Sequence, residues 1–299
     1  MLSSYKNFKK FAVGNKKLRT LCDDEIKKIQ CILLDMMDDI DTICRRENLV
    51  YFICGGTAIG AVRNGGYIPW DEDLDLCMPR QDYDRLAVLI NEEMSSKYWV
   101  QNINLDRQYD LNFMKIRKKG TKYEEIFESE IDKAGLFIDI FPIENTYNNP
   151  IRRSVHGTGS YILLLITSCV RMNLKYKRLM CYVSDNTQMT RMVKIKSFIG
   201  KIFSFIPLYK WLTITEKWLS KCNDKTSRYV TIPSGRGHFW GELYERNKFF
   251  PAKDINFETR RYMIMREPDH YLSKLYGDYM TVPPIEKRER HTVVNIQID

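Results

Sequence analysis

Histidine is scarce in this chain, with four residues in 299, far apart. The eight cysteines (Cys22, Cys31, Cys44, Cys54, Cys77, Cys169, Cys181 and Cys222) contain no C-x-x-C pair. Clustered ligands for a structural zinc ion are therefore missing. Several of the cysteines lie inside apolar runs such as Tyr51-Phe52-Ile53-Cys54, which reads as reduced core thiols of a cytosolic protein. No stretch approaches about 20 uninterrupted apolar residues, so no segment is expected to span a membrane. The first twenty residues carry basic side chains but lack the apolar run of a secretory signal. G-x-x-x-x-G-K-[S/T] does not occur, and Gly55-Gly56-…-Gly60 is not a dinucleotide fingerprint. No repeat or low-complexity tract is visible.

What is present suits a folded protein. Hydrophobic residues make up 44% and charged residues 28%, which excludes wholesale disorder, collagen and coiled coil. The length allows one large domain or two modest ones. The net charge of +9 is unevenly placed: residues 151–230 hold 15 Lys plus Arg against 3 Asp plus Glu, while the remainder is slightly acidic.

Hydrophobic period predicts a helix over 23–46, capped by Asp23 or Asp24, with Ile26, Ile29, Leu33, Met36, Ile40 and Ile43 on one face. Leu49 to Cys54 reads as a buried strand ending in Gly55-Gly56, followed by a short helix from Thr57 to Arg63. Leu74 to Met78 reads as a strand, with Asp73 and Asp75 on one side and Leu74 and Leu76 on the other. A helix starting at Pro79 buries Leu86, Leu89 and Ile90, and strands follow at 98–103, 113–117 and 136–140. The basic block, with Trp211, Trp218 and several Phe and Tyr among its lysines, reads as several helices, and a further helix covers 268–276.

One segment carries chemistry. Cys54-Gly55-Gly56-Thr57, a turn between strand and helix, offers backbone N–H groups at a helix N-terminus, a cradle for phosphate. Beyond it, Pro69-Trp70-Asp71-Glu72-Asp73-Leu74-Asp75 places Asp73 and Asp75 on one strand face, close enough to share a hard divalent cation such as Mg²⁺ or Mn²⁺. Asp139, an acid in the apolar strand Phe137-Ile138-Asp139-Ile140-Phe141-Pro142, is the candidate third ligand. Taken singly, each piece has an ordinary structural explanation: a turn, a solvated strand face, a salt-bridged core acid. In this order, with each acid flanked by apolar strand residues, they match the nucleotidyltransferase superfamily pattern.

The resemblance then narrows. Gly55-Gly56-Thr57-Ala58-Ile59-Gly60-Ala61-Val62-Arg63, Gly66-Tyr67-Ile68-Pro69-Trp70-Asp71-Glu72-Asp73-Leu74-Asp75 and Met78-Pro79-Arg80-x-Asp82-Tyr83 resemble the LicD family. Its bacterial members transfer phosphocholine to teichoic acids and lipopolysaccharides, and the fukutin-type ribitol-phosphate transferases are distant relatives. Phe137 to Ile143 resembles the family's second motif, and Tyr276-Gly277-Asp278-Tyr279-Met280-x-x-Pro283-Pro284, with His291 beyond, its third. Glu72 departs from the Asp more often found there.

The resemblance implies an α+β fold with a nucleotidyltransferase-like mixed-sheet core over 1–150, a basic helical insertion over 151–230, and a C-terminal segment over 231–299 closing the site. It implies transfer of phosphocholine from CDP-choline to a sugar hydroxyl of a teichoic acid, lipopolysaccharide or capsule precursor. Rival readings are a transferase for CDP-ribitol or CDP-glycerol, a plain nucleotidyltransferase, and a non-catalytic nucleotide-binding scaffold. In the leading reading Asp73 and Asp75 hold metal against the diphosphate, and Asp139 shares a metal and takes the proton from the attacking hydroxyl. Gly55, Gly56 and Thr57 donate to phosphate oxygens. Arg63 and Arg80 are phosphate clamps or structural ion pairs. Asp71 lies behind the ligands, Trp70 is the aromatic nearest the acids, and His291 is a base, a phosphate ligand or a solvated tail residue. For the basic block, anionic membrane, nucleic acid and plain solvent compete as partners. The membrane reading leads, no nucleic acid is expected, and the location implied is cytoplasmic, at the inner face of the membrane.

Overall fold

The computed structural model describes residues 4–13, 15–128 and 131–298, and its architecture is α+β. Helix α1 (Ser4–Ala12) precedes α2 (Asp23–Arg46), whose period buries Ile26, Ile29, Leu33, Met36, Met37, Ile40 and Ile43. The cap of α2 falls at Cys22, one residue before the expected Asp23; the Cys22 N–H donates to the Glu25 carboxylate at 3.0 Å, and both aspartates sit in the first turn, where negative charge suits the helix dipole.

β1 (Phe52–Ile53), α3 (Gly55–Asn64), β2 (Asp75–Pro79), α4 (Arg80–Glu93), β3 (Tyr98–Gln101), β4 (Met114–Lys118), β5 (Lys122–Glu125) and β6 (Phe137–Thr146) follow. The central sheet runs β1-β2-β6-β4-β3, with β2 and β6 parallel and the other pairs antiparallel. The parallel pair requires a crossover, which the chain between β2 and β6 supplies. β6 is long enough to carry a second partner, and β7 (Tyr229–Thr231) joins its far end.

Four helices fill the basic block: α5 (Pro150–Leu174), α6 (Tyr176–Val183), α7 (Thr187–Phe203) and α8 (Leu208–Leu219). Asn149 caps α5, its side chain accepting from the N–H groups of Ile151 and Arg152, with Pro150 at the first helical position. After β7 come α9 (His238–Gly241), β8 (Leu243–Glu245), which pairs with β7, α10 (Arg246–Phe249), the hairpin β9 (Lys253–Phe257) and β10 (Arg260–Ile264), α11 (Pro268–Tyr276), and β11 (Val293–Gln297) on β5.

One large apolar core joins α2, the sheet, α4 and α11. A smaller cluster, with Phe8, Leu18, Ile126, Met172, Leu179, Val183 and Val193, ties α1 to α5, α6 and α7. That second cluster holds α1 where Lys9 reaches Asp73, just ahead of β2. Among the described residues, no helix is long and apolar enough to cross a membrane.

Candidate active site

Strand pairing sets Asp75 opposite Asp139, Asp139 opposite Lys115, and Lys115 opposite Gln101. At the other edge the Cys54 N–H donates to the Asp75 carbonyl at 2.9 Å. Residues paired across neighbouring strands share a face, so Cys54, Asp75, Asp139, Lys115 and Gln101 form one transverse row. All five line a cavity of about 520 Å³. With strands about 4.8 Å apart the row spans about 19 Å, room for an extended ligand.

Asp71 and Asp73 reach the same cavity from the loop before β2. Gly55 and Gly56 open α3 beneath them, and their lack of a side chain is what permits the approach. A Cβ on Gly55, whose φ is +58°, would stand 2.7 Å from Asp75 Oδ2, and one on Gly56 would stand 2.7 Å from Asp71 Oδ2.

The acids are electrostatically unequal. Burial, then the Asp73 charge, pushes the Asp71 carboxyl well above the usual range. Burial, then the charges of Asp73 and Asp139, does the same to Asp75. Asp139 is also raised by burial, against the pull of Lys115, whose Nζ lies 2.7 Å away. Asp73 is the exception: burial opposes its ionisation, yet Lys9 and His291 outweigh it and hold the carboxyl well below the usual range.

Those two cations come from opposite parts of the chain. Lys9 Nζ of α1 lies 3.2 Å from Asp73 Oδ2. His291 Nε2 lies 2.6 Å from the same oxygen, its Nδ1 3.0 Å from Glu125 Oε1, and its N–H donates to Glu72 Oε1 at 3.1 Å. Burial and Lys9 oppose protonation of His291, but Asp73 and Glu125 keep it protonated, and Glu125 is correspondingly held down at about 2. His291 is thus buried against the acids rather than solvated. Lys9 had no signal in the sequence, being one lysine among several near the N-terminus.

Of the other site candidates, Arg63 and Trp70 line the cavity. Arg63 Nη1 donates to the Tyr279 carbonyl at 2.9 Å, while its buried Nη2 has no hydrogen-bond partner. The Trp70 ring is covered by the Arg288 guanidinium at 3.7 Å. Thr57 is buried, and its Oγ1 accepts the Asp75 N–H at 2.9 Å, so this hydroxyl positions an acid. The Gly55 N–H is taken by the Tyr271 hydroxyl at 3.0 Å. Of the two readings of Arg80 the structure shows the ion pair: it opens α4 outside the cavity lining, bonded to Glu144 and Glu216. Cavity residues that the sequence reading missed include Lys115, Arg236, Glu242, Tyr271 and Arg288.

Among the described residues, no three His, Cys, Asp or Glu side chains stand close enough to hold an ion as placed. Asp73 faces Lys9 and His291, and Asp139 faces Lys115. The donor chemistry nonetheless fits a hard divalent cation: buried carboxylates line one cavity, and burial, then their mutual repulsion, raises Asp71 and Asp75.

Residues 48–158 match the LicD/FKTN/FKRP nucleotidyltransferase domain. Along 271 residues, 90% of this chain and 96% of the relative, the sequence is 27% identical to the lipopolysaccharide cholinephosphotransferase LicD of Haemophilus influenzae. It is 28% identical over 113 residues to an uncharacterized protein of Rickettsia prowazekii, covering 35% of this chain and 42% of that one.

Proposed function

This chain belongs to the LicD family through the nucleotidyltransferase domain at 48–158, and on that footing we propose that it transfers phosphocholine from CDP-choline to a sugar hydroxyl of a lipopolysaccharide or related surface glycan. The relative from Haemophilus influenzae is named for cholinephosphotransfer to lipopolysaccharide, and the likeness covers nearly the whole of both chains. The observation that carries the chemistry is the pairing of Asp75 with Asp139 in register on parallel strands, next to the first turn of α3.

In this reading the acceptor hydroxyl oxygen attacks the phosphorus that bears choline, the bond to CMP breaks, and CMP departs. Asp139, raised by burial, is suited to accept the hydroxyl proton. Arg63 Nη2, buried without a partner, is suited to a phosphate oxygen. The first-turn N–H groups of α3 at Gly56 and Thr57 have no acceptor within the helix and add positive potential. Mg²⁺ or Mn²⁺ held by Asp73, Asp75 and Asp139 would neutralise charge on the diphosphate.

We read the outer face of α7 as the docking surface for an anionic membrane at which the glycan acceptor is presented. Ile195, Phe198 and Ile202 of α7, and Phe205 in the turn that follows it, are 44%, 67%, 57% and 75% exposed. Exposed Lys194 and Lys201 flank them, and residues 186–215 contain no Asp or Glu. Apolar side chains that enter the headgroup layer beside lysines that meet phosphate are the combination such a surface needs.

The test is CMP release from CDP-choline with Mg²⁺ or Mn²⁺, with and without chelator, beside CDP-ribitol, CDP-glycerol and CTP. Metal-dependent release from CDP-choline alone, with water as slow acceptor, is expected. Release from another donor alone would overturn the choline assignment and keep the chemistry. Failure of all four to bind by calorimetry would overturn the transferase reading.

A further inference from the structure

The acid row has a neighbour on the same sheet face. Side chains two residues apart on a strand point the same way, so Phe141 follows Asp139 on β6, and Phe113 precedes Lys115 where the chain enters β4. Register pairs Asp139 with Lys115 and Ile140 with Met114, and one step further brings Phe141 beside Phe113. Their ring centroids lie 4.6 Å apart, with the planes tilted by 39°. The ring pair therefore stands about 7 Å along the strands from the Asp139–Lys115 pair.

Both rings are half-buried, and both line the cavity that holds the acids. Apart from Phe113, no ring and no cation stands against Phe141 among the described residues. The Lys115 ammonium is committed to the other side, 3.2 Å from the centre of the Phe137 ring and 5.7 Å from that of Phe113. The loop that delivers Phe113 is tied to the helical block. Asp110 pairs with Arg171 Nε at 3.1 Å and with Lys175, and Asn112 Nδ2 donates to the Leu212 carbonyl at 3.2 Å. The phosphoryl-transfer chemistry above uses neither phenylalanine.

Two fixed rings with surface left open, in a cavity otherwise rich in charge, suit a flat partner that can stack on them. In a nucleoside monophosphate the sugar separates phosphorus from the base. With phosphate at the acids, the base then reaches the next row along the strands rather than the acids themselves. The acceptor sugar must instead bring its hydroxyl to the phosphorus, and choline has no flat face. We propose that Phe113 and Phe141 form the platform on which the nucleobase of the donor stacks; the proposal rests on the donor being a nucleotide-activated alcohol.

The experiment is calorimetric titration of the full chain with CMP and with ribose 5-phosphate, which has the sugar and phosphate without the base, both in Mg²⁺. Wild type should bind CMP about tenfold more tightly than ribose 5-phosphate. Phe141→Leu keeps the position apolar, and should cut CMP affinity about fivefold or more while leaving ribose 5-phosphate within about twofold. Phe113→Leu should act in the same sense, and decides the matter if Phe141→Leu fails to fold. A folded variant that keeps full CMP affinity overturns the platform, as does one that loses both ligands equally. A wild type that binds the two ligands alike overturns the platform and keeps the donor reading. A wild type that binds neither overturns the nucleotide donor, and the platform with it.

Discussion

His291 Nε2 meets Asp73 Oδ2 at 2.6 Å, across 218 residues of sequence. Lys9 and this contact hold Asp73 ionised, while Asp75, two residues on at the start of β2, is pushed toward its neutral form. Asp73→Asn and Asp75→Asn should therefore both abolish CMP release yet differ in stability. Asp73→Asn leaves Lys9 and His291 without their shared carboxylate and should cost about 3 kcal/mol. Asp75→Asn resembles the protonated native group and should stay within about 1 kcal/mol of wild type. Urea melts beside the CMP assay separate the two.

Arg63 and Arg80 should also part company. Arg80→Ala strands Glu144, 1% exposed, and Glu216 behind the sheet, and should destabilise the fold by about 3–5 kcal/mol. Arg63→Ala removes a guanidinium whose Nη2 has no partner in the fold. It should raise the KM for the donor about tenfold or more, with a loss of stability under about 1 kcal/mol. Thermal melts and donor saturation curves read both effects.

Glu242 gives a pH signature. Its carboxyl titrates near 8 in the folded protein against an ordinary 4.5. Between those values the folded state holds the extra proton, so stability falls as pH rises through the window and levels off above it. The full swing is at most about 5 kcal/mol. Glu242→Gln should flatten the decline, measured as urea midpoints at pH 5, 6.5 and 8. An equal slope in both proteins would refute the shift.

On α7 and the turn after it, replacing Phe198, Ile202 and Phe205 together by Ser should abolish flotation with anionic vesicles. Lys194→Glu with Lys201→Glu should weaken it most at low salt, because screened contacts contribute least at high ionic strength. Neither set should alter CMP release in solution. Wild type that floats equally with neutral vesicles would refute the electrostatic part.

Local pattern carried the sequence reading where one element suffices. The apolar period of α2 gives its bounds, Asp23–Arg46, and the Pro268 start and Tyr276 end of α11 are likewise local. β1 is shorter than its apolar run because it pairs only through Phe52 with Cys77 and Ile53 with Leu76. Asp75 and Asp139 stood out as acids among apolar strand residues. Lys115 and Arg117 did not, since basic residues alternating in a strand read as a solvated face. Only the order β2-β6-β4, which is not chain order, turns them inward beside the acids. Arg80 lies near Asp75 in sequence, but its partner Glu216 is 136 residues away on α8. No spacing rule reveals that.

Lys9 and His291 grip one carboxylate between them. A chain emerging from the ribosome can complete the row from Cys54 to Gln101 once β6 is made, but the acids then face open water. The imidazolium that shares Asp73 with Lys9 once the acid is buried does not exist until residue 291 arrives. Translation order thus sets when the site can close, and a product truncated before residue 291 keeps the motif but lacks this contact.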